Sequence, residues 1–117
     1  MRRMCYAICT VHGAGGGFTI GAGPNKVTTF ASAIDGLDLI ITGHTHKPIT
    51  FPLGRLLLDP QHKTIKQRNM SAVTCSSFLN PGGYALEKMY QPVGRCETVI
   101  HLSGFGRKID VSQSTTT

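Results

Sequence analysis

Charge is scarce in this chain, and acids above all: six Asp and Glu stand against twelve Lys and Arg, and only 15% of residues are charged. Beside an apolar fraction of 40%, so low a charge density excludes a charge-rich disordered chain. It leaves one folded domain, or part of one, within 117 residues. No apolar run approaches the roughly 18 residues that suggest a transmembrane helix, so no membrane partner is expected. None of the four cysteines, Cys5, Cys9, Cys75 and Cys96, forms a C-x-x-C pair, which excludes a zinc knuckle or a thioredoxin-like motif. Cys5, Cys9 and Cys75 lie in apolar or small-residue runs and read as buried, reduced thiols of a cytoplasmic protein. Arg2-Arg3 ahead of Met4 to Val11 imitates a signal peptide, but the apolar part is short and no small-x-small cleavage site follows. No G-x-S-x-G offers a nucleophile elbow. The Gly13 to Gly17 run is no nucleotide fingerprint either: no Gly-Lys-Ser/Thr closes it, and Phe18 takes the last glycine position of G-x-G-x-x-G.

What is present reads as alternating strands and turns around a single helix. Met4 to Val11 is a continuous apolar run suited to a buried strand. His12 and five residues rich in glycine follow at once. Pro24 to Ile34 reads as a helix, with Pro24 in its first turn, Val27, Phe30, Ala31 and Ile34 on one face, and Gly36 as its stop. Leu37 to Thr42 is a second buried strand, and strand, helix, strand makes a βαβ unit with parallel strands. Beyond Pro48 short β-like runs alternate with turn signals: Ile49 to Phe51, Arg55 to Leu58, Thr64 to Arg68, Ala72 to Cys75, Tyr84 to Tyr90 and Glu97 to Leu102. Pro52-Leu53-Gly54 reads as a break, and Asp59-Pro60-Gln61-His62 as a hairpin turn. Residues 112–117 have nothing to bury and read as a disordered tail. The expected class is α/β: one βαβ unit followed by a mostly antiparallel β region.

The chemistry-bearing residues gather at the ends of the first two strands. His12 follows one apolar run, and Gly43-His44-Thr45-His46 follows the other. Parallel neighbours present their carboxyl ends on one edge, where open α/β sheets build their sites. Three imidazoles brought together there suit a divalent transition metal. Gly13 and Gly43 beside them let the backbone turn sharply and approach a ligand closely. A histidine at a strand end is also a common surface residue, so the pattern rests on two strand ends acting together.

Gly43-His44-Thr45-His46 after Asp38-Leu39-Ile40-Ile41 resembles the closing metal motif of the calcineurin-like metallophosphoesterases. In the same order, His12 with the glycine-rich run behind it resembles that family's lone histidine after a strand, as in its small phage and bacterial members. Ser76-Ser77-Phe78-Leu79, Gly83-Tyr84-Ala85 and Tyr90-Gln91-Pro92 resemble the β region that ends those proteins. The resemblance covers nearly the whole chain but only the family's second half. It implies that residues 1–111 are the carboxyl-terminal half of a metallophosphoesterase-like domain with a partial calcineurin-like layered fold. A complete domain would be a hydrolase that cleaves a phosphoester at a divalent centre of Mn, Fe or Zn. By resemblance His12 and His44 bind one ion and His46 the other. The family's Asp-x-His, Gly-Asp and Gly-Asn-His motifs have no counterpart before His12, and they supply the bridging carboxylate, further ligands and a catalytic histidine. A two-metal centre needs two ions about 3.5–4 Å apart. Neutral imidazoles leave the repulsion between two dications uncompensated. The isolated chain is therefore expected to hold one ion and to be weak or inactive, with no catalytic residue assigned. The partners expected are a phosphoester substrate and either a complementing amino-terminal half or a second copy of this chain, docked on the bare edge of the short parallel sheet.

Lys26 near the helix start and Lys47 beside His46 are weaker candidates for contact with an anionic substrate, the alternative for each being a solvated surface charge. Asp35 and Asp38 read as a helix-end and a strand-start residue, and His62 and His101 as structural or exposed. The competing reading is a non-enzymatic basic module that binds nucleic acid or a protein. The net charge of +6 permits it, but no run of five basic residues and no aromatic-rich basic stripe supports it.

Overall fold

In a computed structural model, residues 3–13, 22–43, 48–76 and 95–115 are described, with the backbone alone for 22–26. Over these residues the protein is mostly β, with one short helix. The elements are β1 (Ile8–Val11), α1 (Ala22–Ser32), β2 (Leu39–Thr42), β3 (Ile49–Asp59), β4 (Thr64–Thr74), β5 (Cys96–Leu102) and β6 (Ile109–Thr115). A mixed four-stranded sheet runs in the order β1-β2-β4-β3, and β5 and β6 form a separate antiparallel pair. The expected βαβ unit is present: α1 connects β1 to β2, which are parallel with Ile8 opposite Leu39 and Val11 opposite Thr42. Beyond that one unit the α/β class gives way to β structure.

The register of β2 explains where β1 begins. β2 starts at Leu39, so residues 4–7 have no ladder partner, although their sequence is apolar enough for a strand. The Ala7 amide instead donates to the Asp38 carboxylate at 2.8 Å, and the Ala7 carbonyl accepts the Asp38 amide at 2.9 Å. β1 is an edge strand rather than the buried strand expected, with Ile8 and Thr10 exposed. β2 is as buried as its unbroken apolar run requires; Leu39 and Ile40 have no exposed surface.

Helix α1 lies on one face of the sheet. Val27 and Ala31, four residues apart and hence stacked on one side, pack with Ile40 and Ala72, flanked by Cys9, Phe51, Leu53 and Met70. Phe30 is 46% exposed, so it lies outside the face the spacing assigned to it. Its place, about 60° off the line of Val27, leaves it on the flank of the helix. α1 stops at Ser32, and two tighter bonds, Ala33 to Phe30 and Ile34 to Ala31, close its last turn. Gly36 then takes φ +84°, the left-handed conformation that suits glycine after a helix.

The break expected at Pro52-Leu53-Gly54 is absent. Ile49–Asp59 and Thr64–Thr74 are two unbroken eleven-residue strands in register from end to end. Pro52 is tolerated because β3 is the last strand of the sheet, where a missing N–H costs little. At Gly54 a Cβ would come within 3.1 Å of the Gln67 amide nitrogen, and that amide is bonded to Asn69 at 2.9 Å. The Asp59 to His62 turn is where the sequence placed it. Asp59 accepts the Gln61 and His62 amides at 3.1 and 3.3 Å, and Lys63 closes the turn at φ +53°. The tail read as disordered is β6 as far as Thr115, paired along its whole length with β5. Val111 and Gln113 are half-buried while Ser112 and Ser114 are exposed, a period-two pattern that the polar composition concealed. The run read as a strand over 84–90 lies outside the described residues.

The β5–β6 pair is pinned at both ends of the sheet. At one end the Tyr6 hydroxyl donates to the Ser103 carbonyl at 2.7 Å and accepts the Lys108 amide at 3.1 Å. At the other, Gln113 donates to the Thr74 carbonyl at 3.2 Å, and the Cys96 amide to the Ser76 hydroxyl at 3.3 Å.

Candidate metal-binding rim

The carboxyl ends of β1, β2 and β4 form one rim. Val11, Thr42 and Thr74 lie in a row across the three parallel strands. The next residues are tied together: the Gly43 amide donates to the His12 carbonyl at 3.0 Å, and the Cys75 amide to the Thr42 carbonyl at 2.9 Å. His12 is exposed at this rim. Just below it, the buried hydroxyls of Thr42 and Thr74 are 3.0 Å apart and satisfy each other, so the rim rests on a closed polar pair. Sequence reading missed this pair; two threonines ending adjacent strands are visible only once β2 and β4 are known to be neighbours.

The glycines at the rim differ. Gly13 takes φ +90°, a backbone state that disfavours any other residue, and so turns the chain sharply after His12. At Gly43 a Cβ would meet the His12 carbonyl at 3.6 Å, an ordinary contact, so this approach alone does not demand glycine. Lys26 is the fifth residue of α1 rather than a first-turn residue, because the helix begins at Ala22. His44, His46 and Lys47 lie outside the described residues. Among the described residues, no three His, Cys, Asp or Glu side chains are grouped to hold a metal ion. Two recesses, of about 140 Å³ beside α1 and Arg55 and about 650 Å³ beside Asp38 and Arg107, are lined by neither His12 nor Gly43.

At the opposite end of the sheet Asp38 does far more than start a strand. It is buried, and its carboxylate accepts the Ala7 amide, Arg68 at 3.2 Å and the Arg107 guanidinium. Burial pushes its pKa up; the Ala7 amide and the guanidinium groups of Arg107 and Arg68 outweigh this and hold the carboxyl below its ordinary value. Arg107 also donates to the Cys5 carbonyl at 3.0 Å and lies over the Tyr6 ring. One carboxylate thus joins β1, β2, β4 and the β5–β6 connection. The acid was legible, but its two arginines lie 30 and 69 residues away.

His62 bonds Asp59 through Nδ1 at 2.7 Å within the turn, a structural role. That histidine, with its amide and that of Gln61, holds the Asp59 carboxyl below its usual range against a small opposing effect of burial. His101 is exposed on β5.

Comparison of the chain with protein-family models, curated proteins and solved structures finds no match.

Proposed function

We propose that this chain is the carboxyl-terminal half of a calcineurin-like metallophosphoesterase domain, with His12, His44 and His46 as ligands of a divalent transition metal. The observation that carries the proposal is the bond from the Gly43 amide to the His12 carbonyl. It brings the residue just before the His-x-His pair to the residue just after β1. The family resemblance requires a glycine-opened His-x-His and a third histidine at the carboxyl ends of two parallel strands, and Gly43 and His12 stand at those ends.

The donor set fits one ion. Three neutral imidazoles are good ligands for Mn, Fe or Zn. They offer no anion to bridge two dications, and Asp38 is committed to its arginines at the far end of the sheet. When bound in a complete domain, the metal centre would supply a water of lowered pKa and a clamp for the phosphoryl oxygens. The chain's own contribution is to hold and orient the imidazoles. The outer edge of β1, which has no neighbour among the described residues and leaves Ile8 exposed, is where the strands of a complementing amino-terminal half would add.

The basic-module reading loses ground on charge. Arg55, Arg68, Arg107 and Lys108 are each paired with an aspartate, which leaves fewer cations to track a phosphate backbone. Thermal unfolding with and without Mn²⁺, Fe²⁺ or Zn²⁺ tests the proposal. One of these ions should raise the melting temperature of the wild type by several degrees and leave His44→Ala unmoved. Turnover of an aryl phosphate by the isolated chain should be negligible. Equal shifts in both proteins would refute the ligand assignment. Salt-sensitive oligonucleotide binding that survives His44→Ala would favour the module.

A further inference from the structure

The β3–β4 ribbon outgrows the sheet that carries it. β2 reaches β4 only over Ser71 to Thr74. From Leu53 opposite Met70 to Asp59 opposite Thr64, the two strands have no third strand beside them; α1 and the turn after it touch only the base of this arm, through Leu53, Met70, Arg55 and Arg68. At about 3.4 Å per residue this arm is roughly 24 Å long. The protein is correspondingly extended: its radius of gyration is 16.9 Å, against about 13 Å for a compact chain of this length.

One face of the arm is apolar and uncovered. Leu56 and Leu58 lie on the same side of β3, and their cross-strand neighbours are Gln67 and Ile65. Leu56, Leu58 and Ile65 are 70%, 69% and 64% exposed. The outer edge of β3 has no neighbour among the described residues, so its backbone groups face outward. Over 53–59 that edge carries no Pro and no bulge, and its two charges, Arg55 and Asp59, are of opposite sign, so it lacks the like-charge protection that would repel a second copy.

We propose that this arm pairs with the same arm of a second copy, β3 against β3, antiparallel about a two-fold axis at Leu57. The order Arg55-Leu56-Leu57-Leu58-Asp59 argues for that occupant over any other. Opposite charges flank an odd apolar centre, so the strand is complementary to itself when reversed. About Leu57, Leu56 meets the second copy's Leu58, and Arg55 meets the second copy's Asp59, each twice; within one copy Arg55 and Asp59 already have solvent-exposed partners in Asp35 and His62, and the cross-copy pairs exchange with these. Parallel pairing would instead set Arg55 against Arg55 and Asp59 against Asp59. The antiparallel arrangement is isologous and closes after two copies. It joins two ribbons into a four-stranded sheet, and Leu56, Leu58 and Ile65 of both copies share one face of it. A stable dimer usually buries about 800 Å² per partner, more than a five-residue edge supplies, so the association is weak and concentration-dependent. The inference stands apart from the metal site, because neither the rim nor β1 takes part.

Sedimentation equilibrium of the full chain over a hundredfold concentration range tests it. The wild type should pass from monomer to dimer. Leu56→Lys with Leu58→Lys, at side chains that protrude into solvent, should weaken dimerisation at least tenfold without changing the melting temperature. Arg55→Asp alone and Asp59→Arg alone should each weaken it by setting like charges opposite each other. The double swap Arg55→Asp with Asp59→Arg should restore it, since every cross-copy pair is again of opposite sign. A wild type that stays monomeric, or a dimer indifferent to the leucine changes, overturns the proposal. So does a correctly folded double swap that fails to recover the dimer.

Discussion

Asp38 is the residue on which most of the chain's distant parts converge, and its energetics follow from its surroundings. A buried carboxylate that accepts one amide and two guanidinium groups is held ionised below its usual pKa. In the unfolded chain it titrates near 3.9. The stabilisation from this difference is therefore complete above about pH 4 and is lost as pH falls through the lower native value. Asp38→Asn keeps an acceptor but removes the charge. Both arginines are partly solvated, with side chains 37% and 52% exposed, so the cost belongs toward the lower end for a broken charged network, about 2 kcal/mol at neutral pH. Urea unfolding as a function of pH should show that difference shrinking below pH 4. A difference that persists unchanged to pH 2 would mean that the charge is not the stabilising feature. Tyr6→Phe removes the hydroxyl that links Ser103 and Lys108 and leaves the ring under Arg107. Amide exchange should then quicken over 103–108 and stay unchanged in β2.

At the scale of elements, α1 and the central strands make up the core. Ile40→Ala removes a side chain with no exposed surface from beneath Val27 and Ala31 and should cost about 2–5 kcal/mol. Phe30→Ala, at a half-exposed position, should cost under about 1 kcal/mol. Chemical denaturation of the two variants checks which side of the helix meets the sheet; a larger loss from Phe30→Ala would reverse the assignment. The βαβ unit was legible because its signals are local: an apolar run ending in glycine, an i, i+4 apolar pair, and a glycine stop. The turn at Asp59 was legible for the same reason. The long β3–β4 ribbon was not, because Pro52 and Gly54 break a strand only when both its edges must be paired. Which strand lies at the edge is a property of the whole sheet. β6 was hidden by its polar composition, since a strand held by one neighbour needs little apolar surface. Phe30 was misplaced because a 3.6-residue period fixes a stripe but not its centre, and here the centre lies at Val27 and Ala31.

For the whole molecule, the sheet has two unequal ends. Its amino-terminal end is tied by Asp38, Arg68, Arg107 and Tyr6 into a cross-linked base. Its carboxyl end carries the rim, where His12 and Gly43 are bonded and Thr42 and Thr74 sit buried beneath. The rim was legible to the extent that strand order and parallel direction could be inferred from a single βαβ pattern. The ligand identities rest on His-x-His spacing and family resemblance. The protein's five histidines provide an internal comparison, because His62 is held by Asp59 in a distant turn and His101 lies exposed on β5. Paramagnetic broadening of the imidazole proton resonances by substoichiometric Mn²⁺ therefore tests the central claim directly. The account predicts that the signals of His12, His44 and His46 broaden together while those of His62 and His101 stay sharp. Broadening that spares any of the first three, or that reaches all five alike, would contradict it.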